Sequence, residues 1–187
     1  MPTEPDTFSG WGKSEFTIPG HFVGTEFFIE IWGSLLGRGF WVHGEFEEAG
    51  FTKQEPIGSS SAREKLHMPV SGRYRRLVIN GATALDRAGR WNVECKAISQ
   101  LPELLAENTG GVSRAFIHRG DEAPAHVQFQ GAGCVRSFDL DGGHEEELAS
   151  NTGSFSGTVK IPAKSLITVS APFRSWGPMQ KWKLTLK

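Results

Sequence analysis

A set of positions recurs in the two halves of the chain in the same order. Phe16, Ile18, Gly20, Phe27 and Ile29 fall against Phe116, His118, Gly120, Val127 and Phe129 at a constant offset of 100 residues. Further on, Gly72-Arg73-Tyr74 falls against Gly153-Ser154-Phe155 at an offset of 81, and Trp91-Asn92-Val93 against Trp182-Lys183-Leu184 at 91. Loop lengths differ while the order of segments holds. Such a repeat asks each copy to bury its own core within roughly 90 residues, a size at which small single domains fold.

The segments carrying the repeat read as strands. Lys181-Trp182-Lys183-Leu184-Thr185-Leu186 alternates polar and apolar residues, so one face is buried and the other wet. Asn151-Thr152-Gly153, Asn80-Gly81 and Asp141-Gly142-Gly143 are turn and hairpin chemistry. Glu26–Trp32 is apolar on both sides, as a central or covered strand would be. Ala97–Asn108 has helical spacing at Ile98, Leu101, Leu104 and Leu105, and reads as one short helix or only a strand from Leu104. The 23 Gly, 13 Phe and 6 Trp suit turn-rich β-structure with aromatic cores, in which Trp91 and Trp182 are the plugs. The fold class is therefore all-β: two tandem antiparallel β-sandwich domains, jelly-roll-like, related by internal duplication. Residues 1–12 read as an extended N-terminal arm, 13–97 as the first domain, 98–103 as a connector and 104–187 as the second domain.

The run Asn151–Val159 (Asn-Thr-Gly-Ser-Phe-Ser-Gly-Thr-Val), the alternating strand Leu166–Val169 and the closing Trp182-Lys183-Leu184 resemble a small β-sandwich module found, often in tandem, in actinobacterial proteins. The likeness covers roughly the last 90 residues. Ser71–Arg75 keeps the Gly and the aromatic but lacks Gly-Thr-Val. The resemblance implies a binding or surface module and carries no catalytic activity with it.

A net charge of −1 gives no electrostatic case for nucleic acid or an anionic membrane. No apolar run approaches the roughly 18 residues of a transmembrane helix. Met1–Asp6 has neither the basic start nor the apolar stretch of a secretory signal, so synthesis in the cytoplasm is the expectation. Cys95 and Cys134, one in each half, read as free buried thiols.

Catalytic patterns are missing: there is no phosphate loop, no nucleophile elbow and no His-Glu-x-x-His. No catalytic residue and no cofactor is assigned. For metals, the acidic turn at Asp139 and Asp141 offers hard oxygens for calcium without the EF-hand pattern, so it reads first as a solvated hairpin. His118 and His126 flank a turn but lack a third ligand. Arg73 and Arg75 around Tyr74 form the strongest basic patch, able to meet an acidic partner or to line a wet strand face. Trp11, Trp32, Trp41 and Trp176 fall near turns or opposite the assumed core, where aromatics anchor interfaces or stack on sugar rings.

The first functional reading is a non-enzymatic structural or interaction protein. It would be a surface component of a larger assembly, such as a phage virion decoration or tail protein, whose partners are other protein subunits or further copies of itself. The alternative is a carbohydrate-binding module using Trp41 and Trp176. An uncharacterised hydrolase is the third.

Overall fold

The computed structural model describes residues 6–33, 39–61, 65–81, 89–140, 144–171 and 181–187. The chain divides into two compact units, Met1–Ala97 and Ile98–Lys187. Unit 1 holds β1 (Thr7–Trp11), β2 (Ser14–Thr17), β3 (Phe27–Gly33), β4 (Gly39–Glu48), β5 (Phe51–Ser61), β6 (Leu66–Val70), β7 (Arg76–Gly81) and β8 (Arg90–Ala97). Unit 2 holds β9 (Glu107–Gly110), β10 (Arg114–His118), β11 (Ala123–Phe129), β12 (Gly133–Asp139), β13 (Glu145–Asn151), β14 (Phe155–Ile161), β15 (Ser165–Ser170) and β16 (Trp182–Leu186).

Unit 1 has two four-stranded sheets, ordered β1-β8-β3-β6 and β2-β7-β4-β5. Unit 2 has β9-β16-β11-β14 and β10-β15-β12-β13. Adding eight to each strand of unit 1 gives unit 2, and all the strand pairings are antiparallel. Eight strands in two sheets wound this way are a jelly roll. The protein is all-β, two tandem antiparallel sandwiches related by internal duplication.

Each core lies between its two sheets and is built from the inward residues of the alternation. In unit 1, Phe27, Ile29 and Ile31 of β3 meet Phe40, Val42, Leu77 and Ile79 of the facing sheet. In unit 2, Val127, Phe129 and Leu184 meet Val135, Ile167 and Val169. Trp91 and Trp182 open the last strand of each unit and are 1% and 2% exposed, at equivalent positions. Each is paired in register with a glycine of the first strand, Gly10 for Trp91 and Gly110 for Trp182. A Cβ on either glycine would overlap the indole six-membered ring. Phe16 and Phe116, from the second strand, complete the group at 6.3 and 6.0 Å from the indoles. The offset of 100 residues thus marks structural equivalence for the first two strands of each unit, whereas in the third strand Gly33 and Phe129 face the equivalent tryptophans, so Phe27 and Ile29 match Ala123 and Ala125 and not Val127 and Phe129.

Three expectations are corrected. The segment read as an arm is β1: Thr7–Trp11 is the edge strand against β8, and Asp6 extends the ladder by accepting from the Cys95 amide at 2.7 Å. The backbone ladder offsets the cost of ordering residue by residue, and Phe8 stacks on Phe16 at 4.4 Å. The helical spacing of residues 98–108 gives no α-helix. A 3-10 turn at Ile98–Gln100 is followed by chain lying along β10, where Leu104 donates to Ile117 and Ile117 to Pro102. Pro102 has no amide for a helical ladder, and the spacing is met instead by Leu101 and Leu104 turning inward. Lastly, Gly72-Arg73-Tyr74 and Gly153-Ser154-Phe155 are not equivalent. The first joins β6 to β7 and the second joins β13 to β14.

The packing predicts a large cost for opening either plug. Trp91→Ala or Trp182→Ala should lose about 3–5 kcal/mol in chemical denaturation, the range for emptying a buried aromatic site. Gly110→Val should also destabilise strongly, by driving a side chain into the indole. Losses under about 1 kcal/mol would mean the tryptophans are peripheral.

Candidate functional site

The aromatic candidates separate once placed. Trp11 ends β1 with Gly10 facing the core, so Trp11 faces outward and is 62% exposed. Trp32 points to the same outer face, because Ile31 before it is in the core. Across that sheet Trp32 pairs with Asn92, Asn92 with Ser9, and Arg90 with Trp11. The ring of Trp32 is already covered: the Lys65 ammonium lies 4.8 Å from its centre. Trp41 lies on the other sheet, outward between Phe40 and Val42 of the core, and is 48% exposed beside Asn80 and Ser59. Trp176 and Asp141 lie outside the described residues. Phe51, 73% exposed at the start of β5, was missed in the sequence; its signal was an aromatic directly after the Ala49-Gly50 turn.

The basic patch is spent within its own unit. The Arg73 guanidinium pairs with the Glu55 carboxylate and stacks over Phe46 at 4.7 Å and Tyr74 at 5.2 Å. The Tyr74 hydroxyl donates to the same carboxylate. The Tyr74 ring lies against Gly44, where a Cβ would overlap it, and the β4–β5 ladder shifts register at Val42/His43. Arg75 donates to the Gly72 carbonyl at 3.3 Å, and its amide to the Glu45 carbonyl at 2.8 Å.

A charge cluster that the sequence reading passed over lies on the outer face of β3. Glu30, 8% exposed, pairs with Lys65, with Lys96 at 3.1 Å and with the His67 ring at 3.5 Å. Lys96 also reaches Glu94 at 3.2 Å. Burial pushes the Glu30 carboxyl up, but hydrogen bonds from Lys65 and Lys96 outweigh it and hold the group below its ordinary 4.5. Burial pushes Lys96 down, and its bonds to Glu30 and Glu94 raise it above 10.5. The one visible sign of this cluster was a lone Glu in the apolar run Phe27–Trp32.

The remaining reactive groups are held separately. Burial pushes the Cys95 thiol up to about 12 and the Cys134 thiol up to about 11, so both stay protonated and weakly nucleophilic. His118 bonds the Asp121 carbonyl at 2.8 Å, and His126 the Ser156 hydroxyl at 3.2 Å, on different sheets. Asp139 is exposed at the end of β12, its amide donating to the His144 carbonyl at 3.1 Å. Among the described residues no three His, Cys, Asp or Glu side chains gather as metal ligands, and no helix is long and apolar enough to cross a membrane.

Unit 2 also carries a recess of about 810 Å³, where β9 ends, β16 begins and β11 meets the start of β14. Its floor includes Phe129, Phe155 and Trp182. Gln128, Ser156, Lys183 and Thr109 form a row across the four strands on the outer face. Nothing in the residue types of this stretch announced it.

No protein-family model matches the chain, and no curated protein is detectably similar to it in sequence. Solved structures that match the chain weakly include a conserved protein of unknown function from Pseudomonas aeruginosa. It is 12% identical over 97% of this chain and 78% of that one, with a TM-score of 0.30. Another is the CUB1-EGF-CUB2 region of human MASP-1/3, 7% identical over 94% and 99%, at 0.29. A third is a triple jelly-roll protein of an archaeal virus turret, 11% identical over 97% and 57%, at 0.25. At these scores nothing functional transfers from them.

Two measurements check the electrostatics. Glu30 has a depressed folded value, so its stabilisation is present above pH 4.5 and is lost as pH falls from 4.5 through that value. Glu30→Gln should therefore melt lower than the parent at neutral pH, and the gap should shrink below pH 4.5. A gap unchanged by pH would contradict the pairing. The thiols should react with a disulfide reagent at mildly alkaline pH far more slowly in the native protein than in denaturant.

Proposed function

We propose that the protein is a non-enzymatic interaction protein that works as a component of a larger assembly and docks through the outer aromatics of unit 1. The observation that supports it most is the exposure of Trp11, Trp41 and Phe51, three large rings left open in a unit whose other described aromatics are buried or partly covered. Leaving such rings in water forgoes stabilisation of about 1.5–3 kcal/mol each, and buried aromatic anchors are what protein interfaces are built on. The strands that carry them are rigid, so little ordering entropy opposes docking. A surface position in a particle, such as a virion decoration or tail protein, is the setting this reading favours. Subunits of that particle or further copies of the chain are the partners.

The test is the size of the native species. Recovered from its own source without denaturant, the chain should travel in a complex well above 20.5 kDa. Trp11→Ser with Trp41→Ser should release it as a folded monomer, since losing two anchors removes roughly 2 kcal/mol or more each. A parent protein that is monomeric at native concentration would contradict the proposal.

A further inference from the structure

The recess in unit 2 has chemistry of its own, independent of the assembly reading. Its volume of about 810 Å³ falls within the range of small-ligand sites, roughly 300–1,000 Å³. The duplication shows what opens it. At the equivalent strand end unit 1 has Gly10-Trp11, whereas unit 2 has Gly110-Gly111. Gly110 is filled by the Trp182 ring, as Gly10 is by Trp91, but Gly111 puts no side chain where unit 1 has an indole. The facing positions differ too. Trp32, the partner of Asn92 in unit 1, corresponds to Gln128, the partner of Lys183 in unit 2, and Arg90 and Asn92 correspond to Lys181 and Lys183.

The polar lining is of one kind. Gln128, Gln130, Thr109, Ser154 and Ser156 are amides and hydroxyls, each able to donate and to accept, as sugar hydroxyls require. Lys181 and Lys183 add positive charge, and among the described residues no carboxylate lines the recess. Lys183 is held by Glu107 at 2.8 Å, outside the lining. The side chains of Gln128, Gln130 and Lys181 make no hydrogen bond or ion pair among the described residues. The row from Ser156 to Thr109 crosses three strand spacings, about 14 Å, enough for two or three sugar rings. Phe155, half-buried at the start of β14, offers apolar surface for a ring face.

We propose that this recess binds an acidic saccharide, a short oligosaccharide bearing a carboxylate. Lys181 takes the carboxylate, Gln128 and Gln130 take ring hydroxyls, and Phe155 packs against a ring face. This assigns the sugar to unit 2, whereas Trp41 belongs to unit 1.

Calorimetry on the full chain with trimers of galacturonate, glucuronate and mannuronate, each beside its neutral methyl ester, tests it. At least one acid trimer should bind, with its ester at least about tenfold weaker, the loss expected for a hydrogen bond to a charged group. Lys181→Ala should weaken the acid trimer by a similar factor at an unchanged melting temperature. Gly111→Trp, which restores the bulk found in unit 1, should abolish binding; if that variant does not fold, Gln128→Ala must weaken binding in its place. Lys160→Ala, on the same sheet but paired with Glu122, should change nothing. No binding by any of the three trimers would overturn the proposal. So would equal binding of acid and ester, or an unchanged affinity in Lys181→Ala.

Discussion

A tryptophan lying on a glycine across the first and last strands closes each jelly roll. In an eight-stranded jelly roll these two strands are far apart in sequence and adjacent in space, so their pairing is the step with the largest loop entropy. The indole supplies the largest apolar surface of any side chain at that pairing, and the absent Cβ lets it lie flat against the backbone. Phe16 or Phe116 from the second strand, on the opposite sheet, then meets the same ring, so one side chain ties the two sheets together. The inward residues of the middle strands fill the rest, and the strand order follows.

Within that frame the polar groups sort by whether they are already satisfied. Arg73 sits on Phe46 and Tyr74 with its charge on Glu55, which makes it a clamp on the β6–β7 loop. Glu30 would be costly beneath the surface of β3, but two lysines and a histidine surround it. Groups engaged in this way hold structure. The unengaged groups among the described residues include Trp11, Trp41 and Phe51 of unit 1 and Gln128, Gln130 and Lys181 around the unit 2 recess. Two copies of one fold thus present different outer surfaces, and the differences fall where the core does not constrain the residue.

Much of the fold was legible because inward positions repeat. The offset of 100 held for β1–β2 and β9–β10 and slipped by four residues at β3 and β11, where the preceding loops differ in length, and both tryptophans were found as plugs. The alignment of Gly72 with Gly153 failed because Gly-x-aromatic serves any strand entry and does not say which strand. β1 was invisible as a strand because an edge strand is held by backbone bonds, which leave no side-chain pattern beyond Phe8 and Gly10. The candidate surface was harder to read. Trp11 and Trp41 stood out by type, but Trp32 gave no sign of the Lys65 above it, and Arg73 none of its partners. The recess was unreadable because it depends on a missing side chain at Gly111 and on four strands that meet only after folding.

The closing contact itself can be measured directly by nuclear magnetic resonance on the native chain. An indole stacked on a glycine shields that glycine's α protons by its ring current. The α protons of Gly10 and Gly110 should therefore both be shifted well upfield and show cross-relaxation to the indole ring protons of Trp91 and Trp182 respectively. Ordinary shifts with no cross-relaxation to the indole at either glycine would contradict the account that each jelly roll is closed by this pair.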